Sequence, residues 1–362
     1  MTKPRARVHP VWVLAVPIAA AVFAGLEVAH VIPMAVPAVQ VAAACLLVAA
    51  VFSAVHHAEV IALRVGEPFG SLLLAASVTV IEVALILSMM ATIEGGGSEI
   101  ARDTVFAAFM IVTTGIVGLC LMVGGIRHHE QGFQVQGATG ALGVLGTLAV
   151  LALILPNFTV AVPGPSYSTG QLLGVAALTL TLYGLFVFVQ SFKHRDYFIS
   201  DDPDVPHPPP PRPAFLASLV LLVLALAGVV MIAEGLSPAV ERAVAFAGLP
   251  DAFVGVVIAA VVLMPEGMAA VRAARANLLQ RSLNLALGSA LASIGLSIPV
   301  VAVASIVMGI PLSLGLEAEH IVLLVLALFA STLTLATGRT TVLQGGVHLV
   351  IFGAFLVIAA VP

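Results

Sequence analysis

Residues 66–87 read GEPFGSLLLAASVTVIEVALIL, and residues 249–270 read LPDAFVGVVIAAVVLMPEGMAA. Each is an apolar run of the length that a bilayer-spanning helix needs, about 20 residues for a hydrocarbon core about 30 Å thick. Each also carries one glutamate deep inside it, Glu82 and Glu266. Superposing these two acids without gaps aligns Phe69 with Phe253, Ala75 with Ala259, Ala76 with Ala260 and Val78 with Val262. It also pairs Glu67 with Asp251, so each segment holds two acids fifteen residues apart. Alanine and valine matches carry little weight in an apolar chain. Intramembrane acids are rare because they are expensive, so the matched acid pair carries more. After each segment comes a basic residue and a small, hydroxyl-rich stretch: RDTVFAAFMIVTTGIVGL from Arg102 and RSLNLALGSALASIGLS from Arg281.

The rest of the chain has the same character. Of its 362 residues 61% are hydrophobic and 9% charged, with a mean hydropathy of +1.17. A soluble domain is about 25% charged, so lipid is the solvent for much of this chain. That excludes a cytosolic enzyme, a nucleic-acid binder and a disordered scaffold. Cys45 and Cys120 fall in apolar runs and read as small core residues. Eleven runs are long enough to span: about 11–28, 36–55, 69–92, 104–125, 137–161, 168–190, 214–236, 252–271, 283–309, 319–338 and 342–361. The first carries Pro17, Glu27 and His30 and no small-x-small site, unlike a cleaved signal peptide.

With the N-terminus inside, twelve of the fourteen basic residues fall on the inner side: Lys3, Arg5, Arg7, Arg64, Arg127, Lys193, Arg195, Arg212, Arg272, Arg275, Arg281 and Arg339. Only Arg102 and Arg242 fall outside. This bias predicts a multi-pass protein of the cell (inner) membrane, N-terminus cytoplasmic and C-terminus outside. Residues 191–213, SFKHRDYFISDDPDVPHPPPPRP, hold seven prolines and read as an extended cytoplasmic linker. The predicted organisation is therefore a tail and first span (1–35), a five-span repeat (36–190), the linker (191–213) and a second five-span repeat (214–362). An odd-numbered repeat inverts its copy, the architecture of many secondary transporters, whose sites lie at the repeat interface.

Most of the eighteen acids sit in loops or at span ends, where a solvated or capping role suffices. Glu67 and Asp251 begin their helices and read as caps favoured by the helix dipole; Glu234 reads as interfacial. Glu82 and Glu266 have apolar sequence on both sides. Two carboxylates in one partly dry cavity cannot both stay ionised and unpaired. Either protons occupy them or a cation bridges them, and the empty doubly charged site is the costly state. If only neutral states re-orient, cation and protons are obligatorily exchanged. Hard cations take oxygen ligands, and the predicted secondary ligands are Ser77, Thr79, Thr113, Thr114, Asn284, Ser289 and Ser293, with carbonyls freed by a helix break at Pro265. The pairs His56–His57 (near Glu59) and His128–His129 (beside Glu130) match no zinc-protease spacing and read as juxtamembrane polar residues. His348 reads as a satisfied packing residue.

HAEVIALRVGEPFGSLLLAASVTVIEVALIL (57–87), the following RDT (102–104), and PEGMAAVRAARANLLQRSLNLALGSALASIGLSIPV (265–300) together resemble the bacterial calcium/sodium(potassium):proton antiporters. These belong to the cation/proton exchanger family of the calcium:cation antiporter superfamily. The resemblance covers most of the chain. It implies an all-α polytopic fold of one helix plus two inverted five-helix repeats, sodium/calcium exchanger-like, with spans 3, 4, 8 and 9 building the site. Glu82 and Glu266 fall at the family's two glutamate positions and would hold both metal ion and protons. The family's Gly-Asn-Ala-x-Glu is replaced here by Val-Thr-Val-Ile-Glu82 and Val-Leu-Met-Pro-Glu266. Its usual glutamine is replaced around Thr113–Thr114 and Ala292–Ser293. These changes remove side-chain oxygens but leave the carboxylates.

The function these residues predict is a secondary antiporter exporting Ca2+ in exchange for H+, with Na+ or K+ against H+ at the same site as the alternative. Its partners would be membrane lipid and the transported ions, with no cofactor and no nucleic acid; a homo-oligomer is left open. A cation channel would call for a repeated pore loop or an acidic ring. An intramembrane enzyme would call for a nucleophile–base pair or metal motif. The internal inverted repeat speaks against the channel, which stays a more distant alternative, and no histidine or aspartate constellation for an enzyme occurs in the spans.

Overall fold

The computed structural model describes residues 10–66, 69–92, 97–198 and 209–361. Lys3, Arg5, Arg7, Glu67 and linker positions 199–208 lie outside the described residues. Eleven helices among the described residues are long and apolar enough to cross a membrane. They are α1 (Val11–Val28), α2 (Pro37–Val65), α3 (Phe69–Thr92), α4 (Gly97–Met110 and Val117–His128, joined by a π turn Ile111–Ile116) and α5 (Val135–Ala149, continuing through a π turn Val150–Ile154 into a 3-10 turn Leu155–Phe158). Then follow α6 (Thr169–Phe188, with a π turn Val189–Lys193), α7 (Arg212–Phe246), α8 (Phe253–Arg275), α9 (Leu279–Met308), α10 (Ala318–Leu335) and α11 (Val342–Ala360).

Eight helices coincide with the predicted spans to within about four residues, and α4 starts seven residues early, at Gly97 rather than 104. Two run on about ten residues further: α2 to Val65 rather than 55, and α7 to Phe246 rather than 236. Hydropathy falls at the first polar cluster, but the helix does not. In α2 the strong helix formers Ala58, Glu59, Leu63 and Arg64 carry it on until Gly66, at φ 78°, ends it. The linker is also shorter than expected. Residues 191–193 complete the π turn of α6, and Arg195–Tyr197 form a 3-10 turn. The Phe198 ring packs edge-on to Phe186 at 5.8 Å, and α7 already begins at Arg212.

The chain forms two compact units, Met1–Leu85 with Asp204–Val240, and Ile86–Pro203 with Glu241–Pro362. In the first unit α1 packs on α2 through polar and small residues. Ser53 Oγ donates to the Val13 carbonyl at 2.9 Å, and His57 Nε2 lies 3.0 Å from the same oxygen. With that nitrogen donating, the neutral ring leaves Nδ1 to accept from Ser218 Oγ on α7 at 3.2 Å. His57 is thus wholly buried and satisfied inside a helix rather than juxtamembrane. Cys45, expected in the core, is exposed on α2. The extension of α7 leaves Glu234 followed by twelve further helical residues.

In the second unit α4 and α11 approach closely. A Cβ on Gly118 would lie 2.9 Å from His348 Cβ, and one on Gly345 would lie 2.5 Å from the Met122 backbone nitrogen. In lipid such close backbone contact replaces the missing hydrophobic drive between helices. Gly118→Leu is therefore expected to lower the thermal midpoint in detergent, with an overpacking cost of about 1–3 kcal/mol or more. Connections at each end also meet as alternating spans require. Beyond α4, β1 (Gln131–Gly132) pairs antiparallel with β2 (Arg339–Thr340), which follows α10. At the other end Gly315 N donates to the Pro165 carbonyl at 2.9 Å, and Leu316 N to Leu153 O at 2.9 Å.

Candidate functional site

Glu82 lies thirteen residues after Phe69, the first residue of α3, and Glu266 lies thirteen residues after Phe253, the first residue of α8. At 1.5 Å per residue, α3 is about 36 Å long and Glu82 sits about 2 Å past its middle. Glu266 sits about 3 Å past the middle of α8. Both carboxylates thus lie close to the middle of a helix long and apolar enough to cross a membrane, and no helix break is needed to put them there. α8 in fact runs unbroken through Pro265, contrary to the predicted break. Pro265 still has no N–H to give to the Val261 carbonyl, so one backbone oxygen just before Glu266 has lost its helical donor. Glu82 is 5% exposed, whereas Glu266 is half-buried, with its Oε2 fully covered.

The break lies instead in α4. Thr113 and Thr114 occupy the π turn Ile111–Ile116, a device that recurs at functional sites because it re-aims side chains within a helix. Both are buried. Thr113 Oγ1 donates to Phe109 O at 2.7 Å and Thr114 Oγ1 to Met110 O at 2.5 Å. In α3, Ser77 and Thr79 likewise donate to Leu73 O (2.8 Å) and Ala75 O (2.9 Å). A hydroxyl that spends its proton on the preceding turn keeps its lone pairs, so these bonds leave the oxygens able to accept from or ligate a cation.

Around Glu266, the π turn and α9 both pack against α8. α8 and α9 form a hairpin, with Glu266 nine residues before Arg275 and Ser289 ten residues after Leu279. Ser289 therefore lies at the depth of Glu266, and Ser293 one turn beyond. Asn284 does not join them. It lies about 7 Å nearer the turn than Ser289, and its amide is committed: Nδ2 donates to the Phe198 carbonyl, and Oδ1 accepts from Gln280 Nε2 at 2.9 Å. Asn284 is a strut holding the end of α6, not a ligand at the depth of the glutamate.

His348, anticipated only as a satisfied packing residue, does more. Wholly buried on α11, its Nδ1 lies 2.8 Å from the Thr113 carbonyl inside the π turn, and its Nε2 lies 3.1 Å from Thr334 Oγ1. This imidazole ties α11 to the main chain of the π turn. His348→Leu is expected to leave that carbonyl unsatisfied, costing about 1–3 kcal/mol and lowering the detergent melting midpoint. The sequence signal was slight: a lone histidine in the last span and a Thr-Thr-Gly run in a helix. His128 Nε2 donates to Arg275 O at 3.0 Å, and Glu130 meets Arg339 at 3.6 Å on the surface. Among the described residues, no group of three or more His, Cys, Asp or Glu could hold a metal ion. A cation at these positions would be held by carboxylate, hydroxyl and carbonyl oxygen.

Eleven helices long and apolar enough to cross a membrane among the described residues, with a glutamate near the middle of two corresponding ones, make a polytopic membrane protein. The chain belongs to the sodium/calcium exchanger protein family, whose profile matches residues 36–192 and 217–361. It is 51% identical to the putative ionic transporter y4hA of Sinorhizobium fredii, over 98% of this chain and 97% of that one. It is 35% identical to the sodium-potassium/proton antiporter ChaA of Escherichia coli, over 86% of this chain and 85% of that one. The solved structure of native YfkE superposes with a TM-score of 0.73 at 19% identity, covering 97% of this chain and 100% of that one. A second YfkE structure, described as a selenium-substituted Ca2+/H+ antiporter, gives 0.70 at 19% identity, covering 97% and 99%. The fold is that of the exchangers, one helix followed by two inverted five-helix repeats, and the chain is a cation exchanger.

Proposed function

We propose that this exchanger is proton-coupled, and that Glu82 and Glu266 alternately bind the cation and protons, with Ca2+ as the exported ion. The observation that carries this reading is the position of the two glutamates, each thirteen residues into its helix and close to the helix centre. A divalent cation on two carboxylates, or a proton on each, leaves a neutral site. The bare dianion is penalised by desolvation, so only loaded forms re-orient. Hydroxyls of Ser77, Thr79, Thr113, Thr114, Ser289 and Ser293, with the Val261 carbonyl, would complete the oxygen shell. The bias of basic residues favours a cytoplasmic N-terminus, and with that orientation export would run toward the side of Arg102 and Arg242.

A second reading, Na+ or K+ for H+ at the same carboxylates, is favoured by the name of ChaA and by the absence of amide ligands beside the glutamates. Proteoliposomes enclosing a pH-sensitive dye separate the two. On adding Ca2+ outside, the interior is expected to turn alkaline as protons leave in exchange. A response to Na+ or K+ but not Ca2+ would transfer the proposal to the second reading. No response to any of the three would sink proton coupling.

A further inference from the structure

Beyond the ion pathway, the second unit carries a groove of about 480 Å3 between α4, α8 and α11, within the size range of small-molecule sites. Its walls are apolar along most of its length, with Leu119, Met268, Val271 and Phe352 among them, and it ends at Arg272 and Arg275. Both arginines are exposed. Neither takes part in the ion pairs of Arg102 and Arg339. Three residues apart on a helix, they share one face and continue the stripe of Ala260, Met264 and Met268. From Ala260, about one turn before the middle of α8, to Arg275 at its end, that stripe runs about 22 Å, long enough for an acyl chain.

An apolar channel that closes on two exposed guanidinium groups has the profile of a phospholipid. We propose that the groove binds one anionic phospholipid of the surrounding bilayer, acyl chain along Met268, Leu119 and Phe352, phosphate on Arg272 and Arg275. Basic pockets between spanning helices recognise anionic headgroups by this charge match, and arginine's planar fork suits phosphate oxygens. Two features shape the cavity to a chain. Gly267 keeps the wall thin, since a Cβ there would lie 3.1 Å from Ile116 Cδ1, and the flexible methionines adapt to what fills it. The bound lipid would rest against the stretch of α8 that carries Pro265 and Glu266, and against the π turn at Ile116.

The test is native mass spectrometry of the full chain in mild detergent, titrated with phosphatidylglycerol or phosphatidylcholine. One phosphatidylglycerol is expected to bind with a preference of about thirtyfold, the contribution of two arginines near a headgroup. The double variant Arg272→Gln with Arg275→Gln should bind the two lipids alike. The paired lysine variant should keep much of the preference, and Arg281→Gln, an exposed arginine outside the groove, should keep all of it. Met268→Trp, which fills the groove, should remove the tight adduct with both arginines intact. Equal binding of the two lipids by the unmodified chain overturns the proposal without any variant. So does a preference that survives the double glutamine change, or a lipid-free dimer covering the face.

Discussion

Glu82→Gln and Glu266→Gln are each expected to abolish proton-coupled cation exchange while the chain remains folded and at least as heat-stable as before. Glutamine keeps the shape of the side chain and its capacity to hydrogen-bond, but it can neither release a proton nor carry charge to a cation. Losing one partner of a desolvated charge pair costs about 2–5 kcal/mol. Exchange should therefore fall by about a hundredfold or more, a hundredfold being about 2.7 kcal/mol. Stability should move the other way. A bare charge at the centre of a spanning helix costs about 2.5–3.5 kcal/mol on insertion scales; a bound proton lifts most of that cost and the amide lifts all of it, so the gain is smaller than that figure. This opposition separates a transport carboxylate from a structural one, whose loss lowers melting temperature and activity together. Proton release driven by Ca2+ in vesicles, measured beside a detergent melt, reads both quantities. Exchange persisting in either variant would rule out the paired-carboxylate mechanism.

The two substitutions need not behave identically. Glu82 is buried, whereas Glu266 is half-exposed beside a proline that strips its helix of one hydrogen bond. The gain in stability on neutralisation should be larger at Glu82, where desolvation of the carboxylate is more complete.

The eleven spans were legible because a helix in lipid must satisfy its backbone internally and hide its polar side chains over some twenty residues. Their ends were less so. Apolarity stops at the hydrocarbon boundary, or wherever a polar residue finds an internal partner, and His57 does so inside α2 between Val13 and Ser218. The glutamates stood out for their cost, which no apolar pattern can conceal. The hydroxyls did not sort themselves, since a threonine back-bonded to its own helix reads alike in a wall and in a site. Nothing in the composition of Ile111–Ile116 marks a π turn, because its flanking residues keep ordinary right-handed helical torsions. Repeat symmetry misled at one place. Arg102 and Arg281 follow corresponding spans, yet Arg281 is exposed and Arg102 is 4% exposed. A count of basic residues by side cannot distinguish a solvated arginine from one buried in an ion-pair cluster.

That cluster supplies the largest expected effect on stability. Arg102 Nε meets Asp103 Oδ1 at 2.7 Å, its Nη2 meets Glu99 Oε2 at 3.3 Å, and its Nη1 lies 3.4 Å from the Gly315 carbonyl. One guanidinium thus ties the start of α4 to the connection before α10. The Asp103 side chain is 12% exposed, and the start of α8 presses on it, since a Cβ on Gly255 would lie 3.3 Å from Asp103 Cβ. Nearby, outside the spans, burial raises the Glu317 carboxyl above its usual range; Glu319 adds to the rise and Arg102 opposes it. Arg102→Leu would remove the guanidinium that compensates these acids. Breaking a buried pair from one side costs about 3–5 kcal/mol, most of it the penalty of the stranded charge, whereas replacing both partners is often close to neutral. Arg102→Leu is therefore expected to lower the melting midpoint sharply, and adding Asp103→Asn to restore part of it. A double-mutant cycle on detergent melts should give a coupling of about 0.5–3 kcal/mol. Glu99, 54% exposed, should contribute little when replaced alone, because a solvated carboxylate at 3.3 Å adds at most about 1 kcal/mol. Additive losses for Arg102 and Asp103 would mean that each is held by other groups and that the pair is not the clamp its geometry indicates.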